Sequence, residues 1–144
     1  MKTLITPNSP FDRYLMGDEN AISPEAKKGF ITFKEQGCVA CHQGVNVGGN
    51  SFQRFGSLIG VQSDSKGRYE VTNDEQDMYY FKVPSLRNVE LTAPYLHDGR
   101  LKTLEDTVKF MANYQLAQSL SEEEISNIVS FLKSLTGQLY DYEK

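Results

Sequence analysis

Toward the C-terminus the apolar positions recur at helical spacing: Ile125, Ile128, Val129, Leu132 and Leu135 fall three or four residues apart and share one face. Ser121 and Glu124 form a capping box, Glu122 to Glu124 place acid where the helix dipole favours it, and Gly137 is a stop signal. These residues predict a helix. A second begins at Thr103, with Asp106 three residues on and Leu104, Val108 and Met111 along one face. A third is bounded by Ser23 as N-cap, Pro24 at the first position and Gly37 as a left-handed stop, and it carries Ala26, Phe30, Ile31 and Phe33. Ser9, Pro10 and Gly17 mark a short fourth through Phe11, Tyr14, Leu15 and Met16.

Between these helices the pattern fails. From Gly44 to about Tyr80 the chain is rich in Gly, Asn, Ser and Asp, with neither a helical nor a strand period, and reads as loop with a small β-hairpin around Lys66 to Thr72. So long a loop is at odds with a compact domain unless it wraps a cofactor, and Phe52, Phe55, Leu58 and Ile59 are the side chains that would do so. The stretch FKVPSLRNVELTAPYLHDG holds two prolines and reads as irregular chain packed against something. No repeat or linker divides residues 1–144, so one domain is expected, mostly helical with long loops.

A domain built this way has a thin core, which a large apolar cofactor would complete. The net charge of -4 makes nucleic acid an unsuitable partner. No apolar run approaches the roughly 18 residues needed for a bilayer span. The N-terminal MKTLITPNSP lacks the apolar centre of an export signal, so the chain reads as a mature or excised segment.

Chemistry enters at Cys38-Val39-Ala40-Cys41-His42, a C-x-x-C-H of the kind that attaches c-type haem: the thiols add across two vinyl groups and the adjacent imidazole binds iron. One helical turn sets both sulfurs along one porphyrin edge and points the next residue beneath the ring. C-x-x-C also serves thioredoxin-like and zinc sites. The first would want a strand leading in, where a capped helix stands; the second needs four ligands, and with His42 tied behind Cys41 and only His97 beyond, a tetrahedral site would be strained. For a sixth ligand the chain offers His97, Met111, Met78 and Met16, with Met1 at the terminus. Met111 is equally readable as core filler, and His97 as a propionate partner or a loop histidine bonded to Asp98. Arg87 sits among apolar residues and needs an anion, either a haem propionate or an ordinary carboxylate.

Three segments, CVACHQGVNVGGN, FKVPSLRNVELTAPYLHDG and TLEDTVKFM, resemble the C-terminal domain of the bacterial di-haem cytochrome c peroxidases, relatives of MauG, over about Thr6 to Gly137. The covalent haem itself implies an all-α c-type cytochrome fold of four or five short helices with long loops around the porphyrin and, because attachment takes place outside the bacterial cytoplasm, a periplasmic location. The resemblance implies electron transfer through a haem ligated by His42 and Met111, where MauG-like members carry tyrosine at the methionine position. It implies a small redox donor protein, cytochrome c or cupredoxin in type, and a peroxidatic haem domain as partners. His97 matches a histidine near the haem edge rather than an iron ligand. A calcium ion in that family uses carbonyls matching Thr92 and Pro94, but the partner domain's asparagine has no counterpart here, so calcium should be weak or absent. The single C-x-x-C-H leaves no peroxidatic haem, and a peroxidase activity of this chain or of a longer parent stands as the alternative.

Overall fold

The structure is a computed structural model that describes residues 6 and 8–138. Its elements run α1 (Pro10–Leu15), α2 (Pro24–Glu35), β1 (Phe52–Arg54), α3 (Tyr69–Thr72), β2 (Tyr80–Lys82), α4 (Leu104–Leu116) and α5 (Glu122–Lys133), with 3-10 turns at Cys38–Ala40, Glu75–Asp77 and Val89–Leu91. The four helices read from sequence form where their caps place them. Ser9, Ser23, Thr103 and Ser121 each accept a hydrogen bond from a backbone N–H of the first turn, and Ser9–Asp12 and Ser121–Glu124 close reciprocal boxes.

The expected hairpin at Lys66 to Thr72 is not there. That stretch holds α3, and the small antiparallel sheet instead pairs β1 with β2 in the register Phe52↔Lys82, Gln53↔Phe81 and Arg54↔Tyr80. The two strands are three residues each and lie far apart in sequence, so no local turn signal announces their pairing.

The core is the crossing of α2 and α5. Phe131 and Ile128 are 1% exposed and Leu135 fully buried. Phe131 meets Phe11, Phe30 and Phe33 at centroid distances of 5.0, 5.2 and 5.2 Å. Each fully buried side chain of this size contributes on the order of 2 kcal/mol. The helices approach so closely at Gly29 that a Cβ there would lie 1.8 Å from the Asn127 carbonyl oxygen. Ile31 is 49% exposed, because Ala26, Gly29 and Phe33 form the face that α5 covers. Among the described residues no helix is long and apolar enough to cross a membrane.

Candidate haem site

The α2–α5 crossing aims the end of α2 at the motif. Gln36 caps the helix, Gly37 turns left-handed at φ 84°, and the chain enters the 3-10 turn Cys38–Ala40. His42 N–H donates to the Cys38 carbonyl at 3.0 Å, so the turn closes on itself and gathers both cysteines and the histidine on one rim. Burial pushes the Cys38 thiol up to about 11 and raises that of Cys41 as well, so the unmodified side chains are neutral thiols rather than a reactive thiolate pair.

That rim borders an apolar cleft whose empty space, open mouth included, is about 1070 Å³. Cys38, Cys41, His42 and Met111 all line it. Phe33, Ile128 and Leu132 supply one wall from the core, Leu104, Val108 and Leu116 another from α4, and Phe55, Phe81 and Val83 a third from the sheet region. Lys82 is the one charged residue on the wall among the described residues.

His42 is held from behind. Its Nδ1 is buried without a hydrogen-bond partner, although the backbone of Val47 and Pro84 lies close enough to oppose, in part, the lowering of its pKa by burial. A small rotation toward either carbonyl would let Nδ1–H donate and leave Nε2 as the ligating atom. Gly48 makes room for this: at φ 122° a Cβ would stand 2.2 Å from the Pro84 carbonyl oxygen and 3.1 Å from His42 Nδ1. Gly48→Ala is therefore expected to cost about 3 kcal/mol, through backbone strain and displacement of Pro84, and to lower the midpoint of thermal unfolding by roughly 10 °C. An unchanged midpoint would mean the loop does not press on His42.

The remaining sequence candidates lie elsewhere. Arg87 is committed to α1: its Nη2 meets Asp12 Oδ1 at 2.7 Å, Nη1 reaches Asp12 Oδ2 at 2.9 Å and Ser9 Oγ at 3.2 Å, and Nε donates to Val45 O at 3.0 Å. Burial acts to raise the Asp12 pKa, but the hydrogen bonds from Arg87 and Ser9 and the guanidinium charge outweigh it and hold the carboxyl below its usual value. Of the two anions the sequence left open, a propionate or a carboxylate, the structure pairs Arg87 with the carboxylate. A carboxylate on α1 already satisfies it, and it braces the loop after His42 instead of lining the cavity.

His97 stands one layer back, stacked on Phe81 with centroids 4.1 Å apart and edge-on to Phe55 at 4.9 Å, with Nε2 2.8 Å from Ser63 Oγ. It touches the wall residues and not the cavity. Met16 is 80% exposed and Met78 half-buried, and neither lines the cavity; Met1 lies outside the described residues. Thr92 and Pro94 are exposed, and among the described residues no cluster of three His, Cys, Asp or Glu could hold a metal ion. Sequence reasoning missed Gly48, Phe81, Lys82 and Gln115; only the paired glycines at Gly48 and Gly49 carried any signal.

Large, apolar, and bordered by two thiols and an imidazole in one tight turn, the cavity fits a haem bonded through both sulfurs. The comparisons agree. The family model described as cytochrome c matches residues 26–136. The chain is 46% identical to the cytochrome c551 peroxidase of Nitrosomonas europaea over 99% of its length and 43% of that protein. It is 46% identical to the cytochrome c peroxidase Ccp of Escherichia coli, over 98% of the chain and 31% of that protein. Against the methylamine utilization protein MauG of Methylorubrum extorquens the identity is 34%, over 95% and 42%. The chain thus spans less than half the length of these relatives. A solved MauG-like protein associated with microbial copper homeostasis shares the fold, with a TM-score of 0.75 at 24% identity over 91% of this chain and 49% of that one. A haem-attachment turn on an apolar cavity, together with these matches, shows that the chain belongs to the cytochrome c family and resembles its peroxidase and MauG members.

Proposed function

We propose that the chain is a mono-haem electron-transfer domain, with haem c bonded through Cys38 and Cys41 and ligated by His42 and Met111. The observation that supports this most is that Met111, from the middle of α4, borders the same apolar cavity as the attachment turn. Haem supplies a one-electron carrier when bound, and a thioether in place of a second imidazole raises its potential. The chain's own residues do the rest. Phe33, Val108, Ile128 and Leu132 keep water out, which disfavours the extra positive charge of the oxidised state. Lys82, the one wall residue with a charge among the described residues, is the cation available to the propionates.

Intact mass with an absorption spectrum tests the reading. The loaded protein should carry one haem that survives acid extraction and show a low-spin spectrum. Met111→Ala should abolish the weak red-edge charge-transfer band of an iron–thioether bond and open the ferric protein to added imidazole. A wild type lacking that band would exclude Met111.

The alternative, peroxidase activity of this chain or of a longer parent, is favoured by the identity to cytochrome c551 peroxidases. Within these residues an occupied sixth position leaves peroxide no iron site. Turnover of hydrogen peroxide by the loaded 144-residue chain, with a reduced small cytochrome or cupredoxin as donor, at enzymatic rates of about 1–1,000 per second would reverse that assignment. Covalent attachment of haem c takes place outside the bacterial cytoplasm, so the periplasm is the compartment that fits.

A further inference from the structure

We infer that Gln115 and the segment Arg54–Ile59 form a latch that holds Met111 in place, an inference that rests on Met111 being the sixth ligand. Gln115 lies one helical turn after Met111 on α4 and also lines the cavity. Its side-chain amide is used at both ends: Oε1 accepts from Ser57 N–H at 3.0 Å, and Nε2 donates to the Arg54 carbonyl at 3.1 Å. The backbone repeats the connection, with Leu58 N–H and Ile59 N–H both donating to the Tyr114 carbonyl at 3.4 and 3.2 Å, and Ser57 Oγ donating to the Gln115 carbonyl at 3.4 Å. Five hydrogen bonds thus join the last turns of α4 to a chain segment more than fifty residues away.

The helix end closes on its own backbone, with Ala117 N–H and Gln118 N–H both donating to the Ala112 carbonyl, but it does so at a conformational cost. It stops without a glycine: Ala117 takes the left-handed conformation at φ 51°, ψ 38°, a strained geometry for a residue with a Cβ. Directly after it the Gln118 side-chain oxygen is buried without a partner. A terminus that carries strain and an unsatisfied acceptor opens more readily than a relaxed one, and Met111 sits within two turns of that end. The iron–thioether contact gives way when α4 opens, so the latch sets the fraction of molecules whose sixth position is accessible. Leu58 and Ile59, exposed at the outer side of the latch, place it at the surface.

The test uses loaded ferric protein titrated with imidazole, whose apparent affinity scales with the open fraction. Loss of both amide hydrogen bonds in Gln115→Ala should raise that affinity about tenfold at temperatures far below unfolding. Gln115→Glu keeps an acceptor for Ser57 N–H and loses the donor to Arg54, so a rise of about threefold is expected. The red-edge band should weaken in the same order. A merely structural role for Gln115 would lower the unfolding midpoint and leave imidazole affinity within twofold of wild type, and that result overturns the latch while Met111 ligation stands. A wild type without the thioether band, or a Met111→Ala spectrum identical to it, overturns both.

Discussion

Replacing Gly29 by alanine is expected to destabilise the loaded protein by more than about 3 kcal/mol, the upper range for forcing extra atoms into a packed core. Local propensity argues the other way, since alanine is favoured over glycine inside a helix by about 1 kcal/mol. The steric effect wins because of what it meets. A Cβ at position 29 would stand 1.8 Å from the Asn127 carbonyl oxygen and 2.3 Å from the carbonyl carbon, both rigid backbone of α5. No rotamer change relieves that, so α2 and α5 must move apart and lose the close contacts of Ala26, Phe33, Ile128 and Leu132. Displacement of α2 also moves Gly37 and the attachment turn it delivers, so the yield of covalently loaded protein should fall with stability. Denaturant titration is the measurement: the midpoint should drop with an unchanged slope. A midpoint equal to wild type would show that the two helices do not touch at Gly29.

Gly29 also shows where the sequence stops being legible. A glycine inside a helical pattern reads as a propensity penalty, and nothing nearby says that another backbone presses against it. The caps at Ser9, Ser23, Thr103 and Ser121 were readable because capping is decided within four residues. The attachment turn was readable for the same reason, its two cysteines and histidine being neighbours. Pairings across long stretches of chain were not. Arg87 finds Asp12 through tertiary folding, and the sheet joins Phe52–Arg54 to Tyr80–Lys82 across a loop that contains α3 instead of the expected hairpin. Gln115 lies past the Leu104, Val108 and Met111 pattern that announces α4, and its partners Ser57 and Arg54 belong to a segment with no period at all. Local hydrogen bonding leaves a signature in order and spacing; a cavity wall assembled from three distant segments leaves only apolar composition.

That wall decides the fate of the chain without its prosthetic group. The double variant Cys38→Ser, Cys41→Ser is expected to carry no haem that survives acid extraction and, once stripped, to lose its fixed tertiary structure. Phe33, Ile128 and Leu132 belong both to the helix-crossing core and to the cavity wall and are buried by the protein alone, whereas Phe81, Val108 and Leu116 line the cavity only half-buried. With about 1.5–3 kcal/mol at stake for each large side chain left against water, the three half-buried ones sum to the order of 5 kcal/mol, comparable with the whole stability of a marginal domain. Collapse of the walls would recover part of this. It would also require α4 to leave its latch at Arg54–Ile59 or the sheet to leave the attachment loop. The short helices would persist, being capped and amphipathic, so far-ultraviolet circular dichroism should stay near that of the loaded protein. Near-ultraviolet bands should vanish and a hydrophobic dye should bind. A stripped double variant that keeps its near-ultraviolet spectrum and unfolds in one sharp transition would mean that the α2–α5 crossing suffices alone, and that the cavity contributes nothing to the fold.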